Sequence, residues 1–96
     1  MRVRYTLRAR SDLREIYSYL DKRSPSGARS VKRAIERRIG WLADFASIAP
    51  KTDEPEVHEL TIIRYPYKIY YRVDDNDVWI LHVRHTSRRP IDLGEL

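Results

Sequence analysis

The chain has no cysteine, only three glycines and one methionine, and no apolar run near the roughly eighteen residues that a membrane-spanning helix requires. Without cysteine there is no disulfide framework, no zinc–thiolate cluster and no thiol nucleophile. The first ten residues, MRVRYTLRAR, lack the apolar stretch of a secretory signal. These absences predict a soluble, unprocessed, cytoplasmic protein with no membrane partner. Repeats and low-complexity segments are missing too, and 96 residues suit a single domain, 1–96, with a modest core. His58, His82 and His85 are dispersed without ligand spacing, and the carboxylates of 44–62 form no calcium-loop pattern. Neither a metal site nor a cofactor is expected.

Positive charge is abundant and unevenly placed. Residues 1–43 carry twelve Lys or Arg against four acids, +8, whereas residues 44–62 carry one against five, −4, and residues 63–96 six against five, +1. Such an excess attracts polyanions or acidic proteins over long range, and salt screens it. It does not choose between the two.

Residues 3–7, VRYTL, alternate Val3, Tyr5 and Leu7 with Arg4 and Thr6, which predicts a first strand. From Ala9 the spacing changes: Leu13, Ile16, Tyr17 and Leu20 fall on one face of a helix expected to end near Arg23. Ser24-Pro25 starts a second helix, because serine caps well and proline at the first helical position forfeits no internal hydrogen bond. Its apolar stripe is Ala28, Val31, Ile35, Ile39 and Leu42, and Arg29, Arg33 and Arg37 recur every four residues on another face. Trp41 and Phe45 widen the apolar arc, either because the core is broad there or because a partner covers them. A connection of about two residues makes the helices an antiparallel hairpin. Residues 47–56, with two prolines and four charges, read as a loop. Three strands follow at 57–63, 67–73 and 77–85, with turns at Tyr65-Pro66 and at 74–77. The order βααβββ predicts an α+β fold in which the helical hairpin packs on one face of a mainly antiparallel four-stranded sheet.

That order, with Tyr67-x-Ile69-x-Tyr71 on the penultimate strand and Ile80-Leu81-x-Val83-x-His85 on the last, followed by Arg88, resembles the RelE/ParE family of type II toxin–antitoxin toxins. Asp12-Leu13-x-x-Ile16-x-x-Tyr19-Leu20 and Pro25-x-x-Ala28 resemble the family's first helix and the start of its second. The resemblance implies a growth-arresting toxin neutralised by a cognate, ParD-like antitoxin in a hetero-oligomer, with a role in plasmid stabilisation. Its RelE-like branch cuts messenger RNA on the ribosome, and its ParE-like branch poisons DNA gyrase.

Cleavage through the 2′-OH needs a base, a cation for the phosphate and an acid for the leaving oxygen. Lys68 falls where RelE-like enzymes carry an arginine, so a cation is kept without the guanidinium fork. With Arg84, His85 and Arg88 it forms the set that an RNase would use. By the resemblance, His85 occupies a position that is histidine in several members of both branches, so it does not separate them. Thr86 stands where the RNases place arginine or tyrosine, no tyrosine follows Tyr71, and Pro90-Ile91-Asp92 occupies the region of the RelE-like catalytic tyrosine. Arg64-Tyr65-Pro66-Tyr67 also resembles the ParE-like branch. The expectation is a non-enzymatic gyrase inhibitor, with the ribosome-dependent RNase as the alternative. Arg29, Arg33, Arg37, Arg88 and Arg89 are the expected target or phosphate contacts, and Tyr19, Trp41 and Phe45 the expected apolar contacts of the antitoxin. A plain nucleic-acid-binding module would use the arginine row, but helix two carries no groove-reading motif.

Overall fold

Thr6 decides where strand gives way to helix. The structure, a computed structural model, describes residues 1–47 and 49–86. β1 spans Arg2–Tyr5 and α1 Leu7–Arg23. Between them the Thr6 hydroxyl accepts the Ala9 N–H at 3.1 Å and lies within hydrogen-bonding reach of the Ile80 and Leu81 carbonyls on a neighbouring strand. Local capping thereby overrides the apolar alternation. Leu7, expected inside a strand, sits instead in the first helical turn and is 84% exposed.

α2 spans Pro25–Phe45. Ser24 serves both helices: its N–H donates to the Leu20 carbonyl at 2.8 Å, and its hydroxyl accepts the Gly27 N–H at 3.1 Å. The connection is one residue, so the hairpin is tighter than expected. Ala28, Val31, Ile35, Ile39 and Leu42 are all buried, as the stripe requires. Gly40 makes no close backbone approach, since a Cβ there would meet nothing within 4 Å.

The remaining strands are β2 (His58–Thr61), β3 (Tyr67–Val73) and β4 (Asp77–His85), in sheet order β1-β4-β3-β2. β1 runs parallel to β4, and the other pairs are antiparallel. One face of the sheet meets the helices in the main core, where Ile35, Leu42, Ile69, Tyr71, Val78, Ile80 and Val83 are almost fully enclosed. On the opposite face Val57, Tyr70 and Leu81 form a smaller cluster flanked by Trp79.

A bulge links the two faces. Tyr70 pairs with His82 but Tyr71 with Ile80, leaving Leu81 as the extra residue. Ile80 and Val83 can therefore both join the helix-side core although they are three apart. At the far edge Tyr71, fully buried, donates its hydroxyl to the Ala46 carbonyl at 2.6 Å and stacks on His58, which is bonded to Ala49. His58 is thus spent on tying the segment after α2 to β2.

Candidate functional site

The basic end of the sheet is built by β3 and β4, whose register sets Lys68 opposite Arg84 and Tyr67 opposite His85. Because side chains alternate along a strand, Lys68, Tyr70, His82 and Arg84 share the face away from the helices, while Tyr67 and His85 turn toward the helical layer. The His85 ring meets Tyr67 edge to face, with centroids 5.2 Å apart. The set Lys68, Arg84, His85 and Arg88 is consequently divided. Lys68 and Arg84 meet, His85 lies across the sheet from them, and Arg88, like Arg89, falls outside the described residues.

The two cations have local partners. Lys68 Nζ lies 2.7 Å from Glu59 Oε1, and Arg84 Nε donates to the Tyr70 hydroxyl at 3.1 Å. His82, one of the dispersed histidines, has a specific task. Its Nδ1 is 2.6 Å from Asp12 Oδ2, and the same oxygen accepts the Val83 N–H at 3.1 Å. An ionised carboxylate can only accept, so the imidazole proton in this contact sits on Nδ1. Asp12 thereby fastens α1 to the stretch of β4 that lies beyond the end of β1. Tyr70 stacks on the His82 ring. These two groups could transfer protons on this face, but they are only 3% and 7% exposed.

The arginines of α2 reach a different place. A groove of about 540 Å³ separates α2 from the β2–β3 connection, with Arg33, Arg37 and Arg38 on one wall and Ile63, Arg64 and Tyr65 on the other. Among the described residues no carboxylate lines it. Arg29, expected in the same row, instead borders a second groove beside Tyr17, Asp21 and Lys32 of the helical hairpin. The reason is helical geometry: every fourth residue advances about 40° around the axis, so the row drifts off one face. Arg38 and Arg64 were not among the expected contacts, because their meeting depends on packing between α2 and a distant turn.

The sequence profile described as "ParE toxin of type II toxin-antitoxin system, parDE" matches residues 3–90. The chain belongs to this ParE toxin family. Y4kP, a candidate toxin of Sinorhizobium fredii (strain NBRC 101917 / NGR234), is 34% identical over 88 residues, covering 92% of this chain and 91% of its own. Among solved structures, the chromosomal ParDE system of P. aeruginosa superposes with a TM-score of 0.79 at 24% identity, over 91% of this chain and 97% of that one. The intact E. coli RelBE toxin–antitoxin complex gives 0.70 at 15%, over 91% and 98%. These two structures share the fold, and the family match makes this ParE-family chain the toxin of a type II toxin–antitoxin system.

The aromatic residues of this ParE-family toxin fall in two places. Trp41 and Phe45 pack against each other with ring centroids 4.9 Å apart, Trp41 half-buried and Phe45 48% exposed. Tyr19 is 49% exposed and carries the Arg23 guanidinium 4.2 Å above its ring. Tyr19 precedes the hairpin turn by little more than one helical turn, whereas Trp41 lies about 24 Å along α2 from its start. The three side chains lie near opposite ends of the hairpin and form no single patch. Among the described residues no group of three or more His, Asp or Glu is placed to hold a metal, and no helix is long and apolar enough to cross a membrane.

Proposed function

We propose that this toxin arrests growth by binding DNA gyrase, without chemistry of its own, and that a separately encoded acidic antitoxin neutralises it. The observation that carries this reading is the division of the basic end of the sheet. His85 is across the sheet from Lys68 and Arg84, and the proton-transfer groups beside those cations, Tyr70 and His82, are enclosed. General acid–base catalysis requires a titrating group within reach of the substrate proton. Family membership, the ParE-like Arg64-Tyr65-Pro66-Tyr67 and the absence of tyrosine after Tyr71 support the same reading. The fold shared with an intact toxin–antitoxin complex and the +8 balance of residues 1–43 favour an acidic protein partner.

One observation favours the ribosome-dependent RNase: Lys68 and Arg84 stand side by side with the Tyr70 hydroxyl on one of them. A single preparation separates the readings. Added to gyrase, relaxed plasmid and ATP, the toxin is expected to block supercoiling, while messenger RNA in a translation extract stays whole. Intact supercoiling together with RNA cuts that disappear in Lys68→Ala would reverse the assignment.

A further inference from the structure

We infer that Asp12 is a positioning residue for the toxin's target surface: acting through His82 and Tyr70, it fixes the direction in which Arg84 is presented. The inference rests on the reading above that the toxin acts by binding a target. It adds the group that meets the target and the residue that holds this group ready.

A continuous set of contacts leads from α1 across the sheet to a guanidinium. Asp12 Oδ2 lies 2.6 Å from His82 Nδ1, the His82 ring stacks on Tyr70 with planes 13° apart, and the Tyr70 hydroxyl accepts the Arg84 Nε–H at 3.1 Å. The same Asp12 oxygen accepts the Val83 N–H at 3.1 Å, which pins the backbone immediately before Arg84. Asp12 therefore acts on Arg84 twice, once through side chains and once through the main chain. Tyr70 and His82 are buried, whereas Arg84 is half-buried. The set is enclosed in its middle and opens to solvent at Arg84.

Direction matters because the register sets Arg84 directly opposite Lys68. Like charges opposite each other on adjacent strands repel, and two long side chains left to themselves would swing apart. Lys68 is held instead by Glu59, 2.7 Å from Nζ, and Arg84 by Tyr70. Two cations kept side by side suit an anionic group on the target. A guanidinium fork engages such a group only when its plane is correctly aimed, and an arginine ordered beforehand loses less rotamer freedom on binding. Stability alone does not account for the arrangement. Relative to apolar side chains of equal volume, a buried polar pair contributes little, and what it adds here is a fixed geometry.

The test is a double-mutant cycle in the full-length toxin, read as the toxin level that halves growth rate and as the concentration that half-blocks gyrase supercoiling. Tyr70→Phe keeps the ring on His82 and removes only its oxygen, and Asp12→Asn keeps an acceptor for the Val83 N–H. Thermal melts above the growth temperature confirm that every variant is folded. Arg84→Gln is expected to raise both readings about thirtyfold, and Tyr70→Phe and Asp12→Asn each about tenfold. Combined with Arg84→Gln, Asp12→Asn is expected to add less than about twofold, since its effect runs through the missing guanidinium. A merely structural Asp12 would add its full factor in either background, and that result overturns the inference. Wild-type potency in Arg84→Gln or Tyr70→Phe overturns it too. By NMR the Arg84 Nε–H should exchange with water faster in Asp12→Asn than in wild type, and unchanged exchange would again overturn the role of Asp12. Glu15→Gln, which removes a charge from an exposed position one turn along α1, should alter neither exchange nor potency, and an equal effect there would make the result one of net charge. A wild-type toxin that arrests growth yet leaves gyrase untouched would remove the gyrase reading, while the growth-arrest cycle still decides the role of Asp12.

Discussion

The two faces of the sheet use the same strands under different rules. Toward the helices, Ile69, Tyr71, Val78, Ile80 and Val83 present a continuous apolar surface that α1 and α2 cover. Away from them, Lys68, Arg72 and Arg84 alternate with Tyr70 and Leu81, and burial there depends on mutual packing and on the Asp12–His82 contact. The first face is held by area removed from water, the second by a few directed polar contacts. A binding surface needs the second arrangement, because charge has to stay accessible where a partner arrives.

The largest expected effect breaks the helix-facing side. Ile80→Ala is expected to cost about 3–4 kcal/mol, as it leaves a cavity in a fully enclosed layer. Its sequence neighbour on the bulge, Leu81→Ala, removes a similar volume from the smaller cluster and should cost about 2 kcal/mol. Urea melts of both variants measure the difference. Equal costs would mean that the two faces are packed alike.

Next comes the polar contact that substitutes for packing on the outer side. Asp12→Ala strands the Val83 N–H and the His82 Nδ1–H together, with an expected loss of about 2–3 kcal/mol. Asp12→Asn keeps a carbonyl acceptor and should recover roughly half of that loss. Hydrogen exchange at the Val83 amide should accelerate in the alanine variant well before global unfolding does. An unchanged rate would show that α1 is fastened to β4 by other means.

What sequence reasoning captured follows the range of the forces involved. The α2 stripe and its start at Ser24-Pro25 are set within one or two helical turns, and the bounds of β3 and β4 match the expected 67–73 and 77–85. β1 was read as starting one residue late and running two residues too far, to Leu7, because alternation alone does not register a threonine that caps the next helix. β2 is shorter than the expected 57–63, since Val57 and Ile62 bond to Glu54 and Tyr67 through turn contacts rather than a continued ladder. The bulge at Leu81 depends on pairing with β3, and the Asp12–His82 contact joins residues 70 positions apart. The groove lay beyond reach for the same reason. Its arginines were visible singly, but Arg38 and Arg64 share a site only after the hairpin has docked.

A smaller change sharpens the comparison on α2, whose inner side covers the sheet and whose outer side does not. Gly40→Ala places a methyl group in open space on an exposed position, so packing cannot contribute. Relief of backbone entropy alone is expected to stabilise the toxin by about 1 kcal/mol. For a domain of this size that raises the melting temperature by about 4–8 °C. A lowered melting temperature would mean that the outer side of α2 is confined after all.

The last prediction has no effect at neutral pH and concerns the rim where the helix-facing side opens to solvent. Tyr5 of β1 and Tyr17 of α1 meet Glu36 of α2 there, with Arg10 and Arg14 also lining the opening and Lys32 Nζ 5.6 Å from the Tyr17 ring centroid. Burial, and then the Glu36 carboxylate, push both phenols above the ordinary value of 10.0, and Tyr17 is raised further by Tyr5. A group whose folded pKa is raised contributes stability that is complete below its unfolded pKa and lost as pH climbs toward the folded one. Stability should therefore hold up to about pH 10 and fall above it, as unfolding releases tyrosines that ionise freely. Tyr17→Phe is expected to leave stability at pH 7 nearly unchanged and to flatten the alkaline limb, and Glu36→Gln to flatten it by less. Urea melts between about pH 9 and 11, with tyrosinate absorbance followed in parallel, measure both. An alkaline limb of the same slope in Tyr17→Phe would place the titrating groups elsewhere, and the rim would then be as indifferent to pH as the enclosed layer beneath it.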